Sequence, residues 1–225
     1  MELSASVEEI DPAVFFTANV SISPDSQFFE RDGSFIFRKG GKTMVAFDGK
    51  CDEIKIPAHV EVIGPRCFCG IGANVTFARD SCLKRIGDEA FQNRWFQAVI
   101  PDSVEEIGER CFSGSQGTME IIFGENSRLK YIGRSAFDGH KDLDHIRIPA
   151  SVEKIDDECF SNCRKLRCVT FASGSCLKSI GRRAFYNCCE LQEIEIPASV
   201  EEIGDDCFGA DEGSRSALSH VKFAK

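Results

Sequence analysis

Apolar and polar positions alternate along this chain in short bursts. Ile54-Lys55-Ile56, Val75-Thr76-Phe77, Ala98-Val99-Ile100, Ile121-Ile122-Phe123, Ile146-Arg147-Ile148, Val169-Thr170-Phe171, Ile194-Glu195-Ile196 and Val221-Lys222-Phe223 each read as an inward, outward, inward triplet. A period of two predicts a short β-strand with one buried face and a middle residue in solvent. The whole pattern then returns. Phe68, Phe91, Phe112, Phe137, Phe160, Phe185 and Phe208 follow one another at steps of 23, 21, 25, 23, 25 and 23 residues, and an Ile stands five residues before each. Small insertions move both markers together, so each repeat is one structural unit.

The units alternate in two forms. One follows Ile-Pro, at Pro57, Pro101, Pro149 and Pro197, and reads SVEEIG or a close variant; the other reads SCLKRIG, SRLKYIG or SCLKSIG, from Ser81, Ser127 and Ser175. One strand per 21–27 residues is too sparse for a sandwich or a hairpin sheet. It predicts a repeat solenoid, in which each turn adds one strand to a parallel ladder at about 4.8 Å. A lone turn cannot cover its own apolar side, whereas identical neighbours share a continuous core. Burial of each slot Phe is expected to contribute roughly 1.5–3 kcal/mol.

The two ends depart from the pattern. Residues 1–50 are expected to hold a degenerate first repeat, SVEEIDPAVF, with Val7, Ile10 and Phe15 in the slots. A β-hairpin over 34–47 follows it, turning at Gly40-Gly41. Residues 51–225 are expected to form about seven turns, the whole chain being one structural domain. The C-terminus stops just after Val221-Lys222-Phe223 without a distinct polar cap. Further chain or a second copy would cover such an end, so association of copies through uncapped ends is one expectation.

Composition narrows the function classes. A hydrophobic content of 42% supports a packed core, and 19 Phe against one Trp and two Tyr fit a repeated Phe slot. The net charge of −9, with no basic stripe interleaved with aromatics, argues against nucleic acid as a partner. No apolar run approaches 18 residues, so no membrane insertion is expected within this chain. The opening MELSASVEEIDPAVFF lacks a basic stretch followed by an apolar one, so no secretion signal is expected and the localisation stays open.

Twelve cysteines raise the question of metal or disulfides. Cys67, Cys111, Cys159 and Cys207 share their slot with Ala90, Ala136 and Ala184, which predicts small buried packing positions. The slot three residues after each Phe holds Ile71, Arg94, Ser115, His140, Cys163, Cys188 and Asp211, too varied for ligands. With no paired CxxC motifs, neither a metal nor regular disulfides are expected. Gly64, Gly87, Gly108, Gly133, Gly181 and Gly204, with Asp11 and Asp156 in the same slot, predict turns in left-handed backbone rather than a phosphate cradle. No Gly-rich loop, paired acids or nucleophile elbow is present, so the chain is not expected to be an enzyme or to hold a cofactor. Asn19 and Asn74 open N-x-S/T triplets, which are frequent by chance.

The outward positions of the strands vary while the inward ones do not, as an exposed binding face should. His145, Cys168, Glu193 and His220 run down one column, but a straight ladder spreads them along a line and forms no convergent site. The expected partner-binding residues are Gln97, Val99, Glu120, Ile122, His145, Arg147, Thr170 and Glu195. Val99 and Ile122 form an apolar pair, and the polar residues anchor its surroundings.

Residues 159–204, CFSNCRKLRCVTFASGSCLKSIGRRAFYNCCELQEIEIPASVEEIG, resemble the BspA-like leucine-rich repeat, L-x-x-I-x-I-P-x-S-V-x-x-I-G-x-x-A/C-F-x-x-C. The likeness extends over 51–225 in seven units. It implies a right-handed leucine-rich-repeat coil of the kind found in surface and adhesion proteins of some bacteria and mucosal protozoan parasites. It also implies a role in binding host proteins or other cells. The alternative is an intracellular protein-interaction scaffold using the same face, with a protein partner in either case.

Overall fold

A computed structural model describes residues 2–17, 20–93, 98–115, 121–212 and 217–224. The chain opens with β1 (Glu2–Leu3), α1 (Val14–Thr17), β2 (Ser21–Ile22), β3 (Phe29–Asp32), β4 (Phe35–Arg38) and β5 (Thr43–Phe47). Each following turn contains a longer strand over the triplet and a two-residue strand ending on the slot Ile. These are β6 (Glu53–Ile56) with β7 (Val62–Ile63), β8 (Asn74–Phe77) with β9 (Arg85–Ile86), and β10 (Ala98–Ile100) with β11 (Glu106–Ile107). Then come β12 (Ile121–Phe123) with β13 (Tyr131–Ile132), β14 (His145–Ile148) with β15 (Lys154–Ile155), β16 (Cys168–Phe171) with β17 (Ser179–Ile180), β18 (Glu193–Ile196) with β19 (Glu202–Ile203), and β20 (His220–Phe223). The fold is the expected parallel solenoid, coiled through about nine turns.

The predicted strands are all present. The second, shorter strand of each turn was not legible, because two residues show no alternation. These short strands nevertheless form the longest sheet, ordered β19-β17-β15-β13-β11-β9-β7-β5-β4-β3 among the described residues. Its register places Ile63, Ile86, Ile107, Ile132, Ile155, Ile180 and Ile203 in one column. The expected hairpin starts this sheet. β4 and β5 are antiparallel, joined through Gly40 and Gly41 at φ 94° and 67°, and Met44 of β5 pairs with Ile63. β3 adds a third antiparallel strand. Adjacent side chains of β4 point opposite ways: Phe37 joins the main core, while Ile36 packs with Phe15, Val20 and Ala46 in a second, N-terminal cluster.

The slot phenylalanines form a stack. From Phe68 through Phe91, Phe112, Phe137 and Phe160 to Phe185, ring centroids are 5.1–5.5 Å apart and planes lie within 12°. This is the offset-parallel geometry that ring quadrupoles favour. Backbone hydrogen bonds bind the same corner turn to turn: Phe68 N–H donates to the Ala90 carbonyl, Phe137 N–H to Cys159 and Phe160 N–H to Ala184, at 2.8–3.0 Å. Two residues before each Phe, the backbone takes φ of 50–57° at Arg66, Glu89, Arg110, Ser135, Glu158, Arg183 and Asp206.

The slot glycines have a different reason from the one their spacing suggests. They are not among the residues of positive φ. A Cβ at Gly87 would lie 2.8 Å from the Ile63 carbonyl oxygen, and one at Gly133 would lie 2.8 Å from the Gly108 carbonyl carbon. Close approach of successive turns, not left-handed backbone, selects glycine there.

The two forms of the unit also find a physical reason. Lys42, Glu61, Lys84, Glu105, Lys130, Glu153, Lys178 and Glu201 follow one another turn by turn, each N–H bonded to the preceding carbonyl at 2.7–2.9 Å. Charge therefore alternates down the column. Glu61 sits 2.6 Å from Lys42 and 2.7 Å from Lys84, and these ammonium groups hold its carboxyl down at about 2. Lys178 and Glu201 pair at 2.7 Å.

One buried position conflicts with its surroundings. In the slot three residues after Phe, Ser115 donates to the Phe112 carbonyl, and the Cys163 and Cys188 thiols donate to the Phe137 and Phe160 carbonyls. His140, in the same slot, is fully buried with neither ring nitrogen hydrogen-bonded. Burial lowers its pKa from 6.5 to about 4, against the opposing field of Asp142. The unfolded chain therefore binds one more proton than the folded one between those values. This contribution to stability falls as pH drops from 6.5 towards 4, by roughly 1.4 kcal/mol per unit. Urea melts of wild type and His140→Cys at several pH values are expected to diverge across this window, the variant losing less. Parallel curves would show that His140 keeps its ordinary pKa in the fold.

Candidate functional site

The longer strands carry the candidate binding face, and they are parallel but do not form one ladder. They pair in twos: β6 with β8, β10 with β12, β14 with β16 and β18 with β20. In three of the four pairs the residue after the second strand donates its N–H back to the first. Ala78 donates to Ile56 at 3.3 Å, Ala172 to Ile148 at 2.9 Å and Ala224 to Ile196 at 2.9 Å. At the next step that position belongs to Pro101, Pro149 or Pro197. Proline has no N–H to offer the preceding strand, so pairing stops. The expectation of one continuous ladder is corrected on this ground.

Clefts open at several of these prolines. Those lined by Pro57, Pro101 and Pro197 have volumes of about 370, 1250 and 550 Å³. The cleft at Pro101 is bounded by Phe77 and Val75 of β8, by Val99 and Ile100 of β10, and by the loops that follow β8 and β12. Proline after Ile in every second unit was the sequence signal for these clefts, read as a missing donor rather than as a repeat marker.

Six of the eight residues expected to bind a partner lie among the described residues, all on this face. Val99 is 59% exposed and stands opposite Ile122, which is half-buried. Arg147 stands opposite Thr170, His145 opposite Cys168 and Glu195 opposite Lys222. The strand breaks separate these groups: Val99 and Ile122 share one pair, His145, Arg147 and Thr170 the next, and Glu195 the one after. Gln97 and Glu120 lie outside the described residues, as does the Asn19 triplet. Asn74 is exposed at the Pro101 cleft.

Lys222 pairs with Glu193 at 2.7 Å and holds its carboxyl below the usual range. The slot cysteines Cys67, Cys111, Cys159 and Cys207 are buried, as their exchange with Ala predicts. Burial raises their thiol pKa values, that of Cys207 to about 12, which suppresses the nucleophilic thiolate. Cys51, Cys82, Cys168 and Cys176 are exposed. Among the described residues no group of three or more His, Cys, Asp or Glu is placed to hold a metal ion. No helix among them is long and apolar enough to cross a membrane. At the C-terminal end the inward slots Val221 and Phe223 are 38% and 65% exposed.

The family model for the BspA type leucine rich repeat region matches in six copies, over residues 44–99 and 84–213. No curated protein matches the chain. Among solved structures, a leucine rich cell surface protein from Faecalibacterium prausnitzii is 28% identical with a TM-score of 0.69, over 89% of this chain and 56% of that one. A leucine-rich repeat protein from Eubacterium ventriosum is 20% identical with a TM-score of 0.71, over 95% and 56%. The pneumococcal vaccine antigen PcpA is 23% identical with a TM-score of 0.58, over 88% and 50%. The latter two likenesses concern the fold alone. The chain thus spans about half the length of these structures.

Proposed function

The chain belongs to the BspA-type leucine-rich repeat family, and from that premise we propose that it is a non-enzymatic protein-binding module acting in adhesion or in contact with host proteins or cell surfaces. The contact surface is the split strand face. One observation carries this reading: Val99 is 59% exposed at the position where other turns place Thr76, Arg147, Thr170 or Glu195, and it adjoins Ile122 and a cleft of about 1250 Å³. A large apolar side chain held in solvent on a rigid strand is a contact anchor. His145, Arg147, Thr170 and Glu195 supply the polar surroundings, with Gln97 and Glu120 completing the set. The cell-surface description of the Faecalibacterium protein supports the adhesive setting.

A pull-down comparing wild type with Val99→Asp/Ile122→Asp tests the surface. Capture of the partner is expected to fall at least about tenfold, as for loss of an interface anchor worth more than 1.4 kcal/mol. Val99→Asp alone should leave thermal melting nearly unchanged, because Val99 is exposed, so its capture separates loss of the contact from destabilisation at the half-buried Ile122. Equal capture would remove this patch. A second reading, an intracellular scaffold using the same face, is favoured by the exposed free thiols of Cys51, Cys82, Cys168 and Cys176, which a reducing compartment preserves. Surface biotinylation of cells making the native protein separates the two settings.

A further inference from the structure

The Pro101 cleft differs from its counterpart at Pro197 in charge. At Pro197 the loop after the strand is Ala172-Ser173-Gly174-Ser175, with no ionisable side chain. At Pro101 the equivalent loop carries Arg79-Asp80 in place of Ser173-Gly174, and the loop after β12 carries Glu125 and, in the position of Cys82 and Cys176, Arg128; of these four, Arg79 and Arg128 line the cleft and Asp80 and Glu125 do not. Both arginines are exposed, and among the described residues neither has an ion-pair partner. The cleft's acids are differently committed. Glu61 is held between Lys42 and Lys84, and Glu105 acts on Lys84 from the other side. Asp102 is the remaining carboxylate, set against two uncommitted guanidinium groups. Between them the floor is apolar, formed by Phe77, Val99 and Pro101.

Resting on the reading of this face as a protein-contact surface, we infer that the Pro101 cleft takes an extended acidic segment of the partner protein, with an apolar side chain on Val99 and Pro101 and carboxylates on Arg79 and Arg128. Guanidinium suits this role, since its fork pairs a carboxylate through two parallel hydrogen bonds. Charge complementarity of this kind sets which partner binds, and it weakens with added salt.

The test uses the full chain and fluorescent peptides alternating Leu with Glu, with Lys or with Gln, read by anisotropy. The Glu–Leu peptide is expected to bind at least about tenfold more tightly than the Lys–Leu peptide, the Gln–Leu peptide lying between them. Arg79→Glu/Arg128→Glu should invert that order, with an unchanged melting temperature confirming the fold. A preference that survives the charge swap, or no preference in wild type, overturns the inference. Val99→Asp separates the two layers of the argument. If it abolishes binding of every peptide while the charge swap changes nothing, the contact face stands and the acidic segment falls. If it leaves binding intact, the face itself is wrong and the inference falls with it.

Discussion

Phe137→Ala is expected to destabilise the folded chain by about 3–5 kcal/mol, the largest effect of any single side-chain truncation proposed for this molecule. Phe137 is fully buried and stacks on Phe112 at 5.3 Å and on Phe160 at 5.1 Å. Its removal leaves a cavity lined by rings on both sides, and the turns cannot collapse to fill it without breaking the hydrogen bonds of the corner. Phe208→Ala should cost distinctly less. Phe208 is only partly buried, and its one ring neighbour of the stack is Phe185, at 5.7 Å. Urea unfolding of both variants measures the difference. Equal losses at the two positions would mean that the stack does not act as a continuous core.

Gly133→Ala is expected to cost about 1–3 kcal/mol despite adding a single methyl group. The new Cβ would meet the Gly108 carbonyl carbon at 2.8 Å and the Glu109 nitrogen at 2.9 Å, and backbone atoms cannot rotate away. Relief requires the two turns to separate, which strains the Ile107 to Ile132 register and the Gly133 N–H bond to the Ile107 carbonyl at 2.9 Å. Gly70→Ala provides the contrast. Gly70 lies at φ 77° with nothing within 4 Å of its Cβ position, so any loss there comes from backbone strain alone. Denaturation curves for the pair distinguish the two causes: a loss at Gly133 no greater than at Gly70 would exclude turn-to-turn contact as the reason for the slot.

Much of the molecule was readable from residue order. The slot Phe and Ile, the outward middle residue of each triplet, the buried Cys/Ala slot and the Gly40-Gly41 hairpin all follow from local pattern, because each is a choice between inside and outside made residue by residue. Other features were present in the residues but depended on which residue meets which. The alternation of Lys84, Glu105, Lys130 and Glu153 becomes a charge column only when consecutive turns are stacked in register. Pro101 and Pro197 open clefts only because the missing N–H faces Phe77 and Phe171 across the gap.

Repetition by itself determined that this chain coils, since a unit with one apolar side and an identical successor has no better place to bury that side. It also determined which residues turn inward. Only the tertiary structure decided where the coil closes on itself and where it parts, because hydrogen bonds between turns join residues some two dozen positions apart. Whether a donor exists at such a joint is a property of two turns, not of one.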